Sequence, residues 1–306
     1  EARVSASSVI SSWVLEDSDR QPFFVESDSF LLQFPVTGDK IEQINLFLCL
    51  EKSSTLEFKL LAGTGHHRNL PGPCMYSTTL NVSEPREGWL EVCPKCFNLE
   101  SGWYFLEVNC QQTFSIPMQQ NSLPGVLLYR KMTSHDSKII NAFGQHLPVL
   151  AQNPGPSPGP LLQVYPIPNA YEAGNVASVN HKPTSLPNLW VSQPADFKYP
   201  EFLEIKWEQP KDISKIEITF DPSYDFIFGK KPKSYESAFM TSLVKEYKIY
   251  YNDLRGHSHL LEHVEDNLHS FVCHDFSSLR VTGLELEVLK TYGLNRAQVY
   301  QIRVYA

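Results

Sequence analysis

Long apolar runs are missing from this sequence of 306 residues, and so is an excess of positive charge. A helix that crosses a bilayer takes about 20 consecutive apolar residues, so we expect no transmembrane segment. The 26 Lys and Arg residues against 34 Asp and Glu give a formal net charge of −8. Because phosphate contacts need clustered Lys and Arg, we expect no nucleic-acid partner. The one basic cluster, residues 230–233 (KKPK), is interpreted as a solvated loop.

Cysteine is scarce as well: there are six, five of them in the first half of the chain. That is too few for a disulfide scaffold in a chain of this length. The cellular compartment stays open, with an extracellular or periplasmic location favoured. Cys93 and Cys96 form a CxxC pair, the arrangement that supplies two thiolates to a tetrahedral zinc site. The residues that can complete such a site are Cys74, Cys110, His66 and His67. A disulfide, a redox couple or reduced thiols are the alternatives, and reduced thiols are favoured.

Glycine (15) is outnumbered by proline (22), and aromatic residues make up 12% of the chain. This balance favours short strands and fixed turns over long helices. Apolar residues alternate with polar ones in residues 41–50, and again in residues 202–207, 213–220 and 299–305. Strands this closely spaced, separated by Gly, Pro, Ser and Asn, are typical of sandwiches and jelly rolls. The sequence therefore predicts an all-β chain of two β-sandwich, jelly-roll-like domains.

A proline- and glycine-rich stretch separates the two β-rich halves. Residues 153–160 read NPGPSPGP, which can continue neither a helix nor a central strand. We predict a β-sandwich domain in residues 1–130, a linker in residues 131–160 and a second β-sandwich in residues 161–306. One short helix is expected within residues 134–151.

Motifs that carry catalysis are absent from the sequence. No GxSxG elbow occurs. The glycine cluster Gly63-Thr64-Gly65 lacks the third glycine of a dinucleotide fingerprint and does not stand at a strand-to-helix turn. A catalytic carboxylate pair cannot be chosen among 34 acidic residues without geometry. We therefore assign no catalytic residue.

Several strands of the second half resemble those of one known family. Residues 203–207 (LEIKW), 213–218 (ISKIEI), 245–251 (KEYKIYY) and 297–305 (AQVYQIRVY) follow the order and spacing of the discoidin, or coagulation-factor type C, family. That family has a galactose-binding-like fold. The resemblance implies a second β-sandwich that binds its ligand through loops at one end.

A longer resemblance spans nearly the whole chain. Residues 4–8 (VSASS), 187–192 (PNLWVS) and 217–221 (EITFD) are similar to the C-terminal, non-flavin region of some bacterial FAD-dependent oxidoreductases. The resemblance implies a larger parent protein with FAD bound elsewhere, and no cofactor within this chain. The first residue is Glu1 rather than Met, so we expect a fragment or a processed product. Because the flavin-binding part is missing, oxidoreductase activity is not transferred to these residues.

The candidate ligand site is the long insertion in residues 221–242. Its candidate binding residues are Tyr224, Phe226, Phe228, Lys230, Lys231 and Tyr235. Aromatic and lysine side chains together can contact a sugar, a membrane surface or another protein domain. Docking of Phe226 and Phe228 onto the first domain is an equal alternative. Trp190 and Trp207 are interpreted as core residues rather than as a stacking platform for sugars.

Three functions are consistent with these patterns. The first is a non-catalytic accessory region that supports or targets a catalytic domain outside this chain, with the parent's other domains as partners. The second is a carbohydrate-binding module with a glycan as partner, and the third is a protein-interaction or self-assembly module.

Overall fold

The computed structural model of the chain describes residues 2–13, 23–38, 40–64, 70–93, 97–119, 123–132, 146–148, 159–167, 169–180, 182–184, 186–194, 200–222 and 241–306. Within these residues the regular structure is strand, apart from two short 3-10 segments, Asn169–Tyr171 and Ala173–Ala177. The prediction of an all-β fold is confirmed.

The strands up to residue 165 are β1 (Ala2–Ala6), β2 (Phe23–Val36), β3 (Lys40–Ile41), β4 (Gln43–Leu50), β5 (Ser54–Thr64), β6 (Leu70–Val82), β7 (Arg86–Cys93), β8 (Phe97–Asn98), β9 (Gly102–Gln119), β10 (Leu127–Lys131), β11 (His146–Pro148), β12 (Gly159–Pro160) and β13 (Leu162–Tyr165). The later strands are β14 (Trp190–Val191), β15 (Glu201–Phe220), β16 (Val244–Asn252), β17 (Ser258–Val264), β18 (Phe271–Thr291) and β19 (Gln298–Tyr305).

The first sheet runs in the order β11-β10-β2-β9-β4-β13, with β5, β6, β7 and β12 attached beside this path. Strand β4 illustrates the buried face of this sheet. Ile44, Leu46, Leu48 and Leu50 are buried while the residues between them are half-exposed, the alternation expected of a strand with one face on a core. Each side chain so buried contributes about 1.5–3 kcal/mol relative to leaving it exposed. These residues belong to the first hydrophobic core.

The second sheet runs in the order β14-β19-β15-β18-β16-β17, with β1 paired to β15. Its longest strands, β15 and β18, bend so that the two halves of each lie in different layers. Leu203 and Ile205 at the start of β15 and Ile216 and Ile218 near its end all point into one core. Between these halves the pairing with β18 is interrupted from Lys206 to Lys211. The sheet therefore bends there and supplies both layers of a sandwich.

The bend joins two segments that the alternation pattern predicts as separate strands. Residues 202–207 and 213–220 are both part of β15. Pro210 lies inside the register break, where the ladder requires no hydrogen bond from a backbone N–H. Proline and polar residues at this point produce a bulge instead of a turn, which is why the pattern alone predicts two strands.

Several strands pair with the sheet on the other side of the division predicted at residues 131–160. Strand β1 pairs with β15 from Ala2 opposite Trp207 to Ala6 opposite Leu203, so the N-terminal strand belongs to the second sheet. In the other direction, β12 pairs with β9 and β13 pairs with β4 of the first sheet. Of the predicted helical segment, residues 134–151, the described part is β11, a strand paired with β10. The remaining residues of the segment lie outside the described ranges.

Hydrogen bonds and a shared core join the two sandwiches. Trp13 is 3% exposed within the first core, and that core also contains Leu189, Val191 and Tyr300 from the second half of the chain. Trp103 Nε1 of β9 donates to the carbonyl of Thr184 at 2.9 Å. The backbone N–H of Ile10, a residue of the first core, donates to the carbonyl of Val191 in β14 of the second sheet at 2.9 Å. Because these groups are buried or partly buried, the contact between the sandwiches is a packed interface.

Candidate binding end of the second sandwich

The long insertion connects β15 to β16, and the residues on either side of it are hydrogen-bonded to each other. Ser242 Oγ donates to the carbonyl of Asp221 at 3.1 Å, which joins the two chain segments on either side of residues 223–240. The backbone N–H of Asp221 donates to the carbonyl of Gln298 at 3.3 Å. Both ends of the insertion are therefore fixed to the body of the sandwich. We call this end, formed by residues 221–222, 241–243 and 292–298, the root end.

The turn in residues 292–297 lies against residues 241–243, which follow the insertion. Tyr292 N–H donates to the carbonyl of Leu243 at 3.1 Å, and Leu294 N–H donates to the carbonyl of Thr241 at 3.0 Å. Thr241 also packs against Gly293, where a Cβ atom would approach the threonine Cγ2 to 2.9 Å. The close approach requires glycine, or a shift of the threonine, and it holds the turn in place.

Two buried acceptors at this end have no partner. Within the described part of the chain, the side-chain oxygens Thr241 Oγ1 and Asn295 Oδ1 are buried and make no hydrogen bond. A buried polar group without a partner costs about 1–3 kcal/mol. The Leu294–Thr241 backbone bond holds Thr241 beside the residue that precedes Asn295. A ligand with hydroxyl groups can satisfy such acceptors.

A fully buried arginine lies next to these groups. Arg296 is 1% exposed and Asp221 is 3% exposed. Burial lowers the pKa of Arg296 to about 10, while the nearby Asp221 and Tyr171 act in the opposite direction. Arg296 therefore stays charged at neutral pH, beside the carboxylate that begins the insertion. Tyr171 belongs to the first core, so the root end lies against the interface between the sandwiches.

The six candidate binding residues of the insertion lie outside the described residues. Tyr224, Phe226, Phe228, Lys230, Lys231 and Tyr235 fall within residues 223–240. Their role in binding stays a prediction. No sequence pattern indicates Thr241, Asn295 or Arg296, because only the fold brings the end of the insertion beside the turn before β19.

The cysteine hypothesis is tested only in part. Cys93 ends β7, whereas Cys96 lies outside the described residues. Cys110 stands opposite Leu56 of β5 and Cys74 stands opposite Leu61, about 17 Å further along that strand at the usual rise per residue. These two thiols therefore cannot ligate one metal ion together. In the described residues, Cys49, Cys74, Cys110 and Cys273 are free thiols and no group of three metal-ligating side chains occurs.

The tryptophans of the second half are core residues. Trp190 is fully buried, and its Nε1 donates to the carbonyl of Ser8 at 2.9 Å. Trp207 is half-buried against the second core. Trp190 thus has no face left for a ligand.

The two helical segments described are three and five residues long, and neither could span a membrane.

A scan against protein-family models found no match, and a search of curated proteins found none either. Among solved structures, the chain is similar to a Clostridium perfringens module, CpGH89CBM32-5, in complex with GalNAc-beta-1,3-galactose. That similarity has a TM-score of 0.34 and 13% identity, over 46% of this chain and 87% of the other.

Two further solved structures are similar to the same extent. The family 32 carbohydrate-binding module of NanJ from Clostridium perfringens, in complex with galactose, has a TM-score of 0.34 and 13% identity over 45% of this chain and 86% of its own. A chitosan-binding module from the chitosanase/glucanase of Paenibacillus sp. IK-5 has a TM-score of 0.34 and 8% identity over 45% and 86%. Similarity at this level carries no argument about the ligand of this chain.

Proposed function

We propose that this chain is a non-catalytic accessory region that binds carbohydrate at the root end of the second sandwich. The observation that carries the proposal is the pair of buried acceptors, Thr241 Oγ1 and Asn295 Oδ1, that lack partners at this end. Saccharide hydroxyls are hydrogen-bond donors of the right kind, and a ligand that supplies them removes a cost already present in the folded chain.

The insertion supplies the apolar part of the site in this proposal. Its sequence contains aromatic side chains that can stack on sugar rings, among them Tyr224, Phe226 and Phe228. The fixed root supports the proposal further, because loops held on a rigid scaffold lose less entropy on binding. An accessory role in a flavin-dependent parent is a separate hypothesis that rests on sequence resemblance.

A glycan array followed by calorimetry on the full chain tests the proposal. Galactose-containing glycans and chitotriose are the first probes. We expect Tyr224→Ala or Phe226→Ala to weaken binding by about 5- to 150-fold, as expected for loss of about 1–3 kcal/mol of aromatic contact. Phe24→Ala is the control, since Phe24 is 49% exposed and lies on the first sandwich. An array without a single glycan hit contradicts the proposal.

Thr241→Val separates binding from folding. Valine matches threonine in shape but lacks the hydroxyl, so the variant loses a buried polar atom that has no partner in the described residues. We expect unchanged or higher stability together with weaker glycan binding. Glycan affinity equal to that of the unmodified chain would remove Thr241 from the site.

Internal docking is a second candidate role for the insertion. Arg296 is electrostatically coupled both to Asp221 at the root and to Tyr171 in the first core, which puts the root end beside the interface. Phe226→Ala and Phe228→Ala separate the two roles. Docking predicts a lower free energy of unfolding for both variants, whereas glycan binding predicts unchanged stability in the absence of glycan.

A further inference from the structure

One side of the second sandwich is open between two strand edges. Within the described residues, β17 pairs only with β16, and residues 271–281 of β18 pair only with β15. We call the gap between β17 and residues 271–281 the seam. The apolar side chains that face it are only half-buried against the second core, and they are Leu261, Val264, Val272 and Phe276.

His274 lies in the middle of the seam and points inward. It stands opposite Ile216 of β15, which is 1% exposed in the core, and cross-strand partners share a face of the sheet. Its Nε2 lies 3.0 Å from the hydroxyl of Tyr247, a fully buried residue of β16. One hydrogen bond across the interior therefore links the two layers at the open side.

Tyr247 has little freedom to follow a displaced histidine. Its ring packs on Phe220 with a centroid separation of 5.0 Å and against the His274 ring at 6.0 Å. Burial also raises the pKa of Tyr247 well above its ordinary value, so the hydroxyl stays neutral. In a charged imidazolium both ring nitrogens are donors, so Nε2 can no longer accept a hydrogen bond from the Tyr247 hydroxyl, and a positive charge is placed in a partly buried position.

Few charged groups face the histidine. Glu262 comes from β17 and Asp275 from its own strand, while β16 contributes the neutral Tyr247 and β15 the apolar Ile216. Burial lowers the pKa of His274, and the carboxylates of Glu262 and Asp275 act in the opposite direction. Both carboxylates belong to exposed residues, so solvent screens them.

We propose that His274 is an acid-sensitive lock: uncharged, it joins the layer formed by β16 and β17 to the first half of β18 through Tyr247, and its protonation weakens that link. The inference does not depend on the glycan proposal, because the lock lies among residues of the sandwich body. The sign follows from linkage. A histidine that resists protonation in the folded chain binds more protons when unfolded, so stability falls as the pH drops through the histidine's ordinary range.

Urea unfolding of the full chain at pH 7.5 and pH 5.0 tests the lock. For a histidine that titrates near pH 6.5 in the unfolded chain, the unfolding equilibrium constant rises by at most about 30-fold at pH 5.0. We expect His274→Gln to remove this part of the pH dependence. His269→Gln is the control, because His269 is exposed on the same sandwich and we expect it to retain the full dependence. Equal pH dependence in the His274→Gln variant and the unmodified chain overturns the proposal.

Titration of the histidine ring signals by NMR gives a second measurement on the folded chain. The signal lost in His274→Gln should begin to titrate at lower pH than the signals of the exposed histidines. If that variant fails to fold, Tyr247→Phe identifies the signal by its shift, since only the hydroxyl is removed. A midpoint for His274 equal to that of the exposed histidines also overturns the proposal.

Discussion

The two ends of the second sandwich are held by different kinds of contact. The root end contains buried polar groups such as Arg296 and Asp221, and it lies against the first core. The opposite end is the exposed turn of the β16–β17 hairpin, where the carboxylate of Asp253 has local partners. Asp253 accepts hydrogen bonds from the backbone N–H groups of Arg255 and His257, at 2.8 and 2.9 Å.

The two ends should differ in how much of the structure a substitution destabilises. The bond between Asp253 and His259, together with the backbone N–H groups, lowers the pKa of that carboxyl group, but all the partners lie within six residues of it. At the root end the partners come from elements far apart in the sequence, as in the 3.3 Å bond from the Asp221 N–H to the carbonyl of Gln298. We therefore expect large, shared effects near the interface and small, local ones at the hairpin.

Tryptophan truncation should give the largest contrast. Trp13 is 3% exposed at the interface, so Trp13→Ala should lower the free energy of unfolding by about 3–5 kcal/mol. Trp207→Ala, at the bend near the exposed hairpin, should cost less because Trp207 is only half-buried. Denaturant unfolding of the full chain measures both. Equal losses would mean that the interface end is not the more sensitive one.

Two glycines give a matched test of the same comparison. Gly125 (φ 85°) and Gly256 (φ 81°) both adopt the left-handed conformation that disfavours alanine. A Cβ at Gly125 would overlap the ring of Trp103, whereas a Cβ at Gly256 meets nothing within 4 Å. Gly256→Ala should cost about 1 kcal/mol. Gly125→Ala should cost several kcal/mol by the same unfolding assay, and similar losses for both would contradict the packing at the interface.

The smallest expected effect lies on the outer face of the second sandwich. Glu285 stands directly opposite Glu204 of β15, and burial together with Glu204 and Glu287 raises the pKa of its carboxyl group. The folded chain then binds more protons than the unfolded chain in this range, so stability falls as the pH rises through it. Glu285→Gln should increase stability at pH 7 by a few tenths of a kcal/mol.

The gain from Glu285→Gln should disappear below about pH 4, where the carboxyl group is protonated in both states. Thermal unfolding at pH 3.5 and pH 7 measures this difference. Glu51→Gln is the control, because Glu51 is exposed at the end of β4 in the first sandwich. A gain that is the same at both pH values would show that charge repulsion is not its cause.

The strands were largely predictable from the sequence, because alternation is a property of neighbouring residues. The pattern Ile44, Leu46, Leu48, Leu50 identifies a half-buried strand whatever its partners are. The burial of Trp190 follows from its apolar neighbours in the same way. The continuity of β15 was not predictable, since Pro210 reads as a break in any local pattern.

The candidate site was predictable only as a segment. Aromatic and lysine residues indicate the insertion, but the acceptors Thr241 Oγ1 and Asn295 Oδ1 carry no such signal. Threonine and asparagine occur at many turns, and only their burial without a partner marks these two. That burial depends on a backbone bond between Leu294 and Thr241, residues far apart in the sequence.

By itself, the sequence determined the β-rich class, the amphipathic faces of the strands and the position of the insertion. Each of these depends on residues close together in the chain, where side-chain alternation and turn propensity act. The tertiary structure alone decided which sheet each strand joins, as when β1 pairs with β15 about two hundred residues later. It also decided that Arg296 is buried and that His274 faces Tyr247. Pairing of distant strands and burial of polar groups depend on the whole fold, because their energies arise from contacts that no local pattern contains.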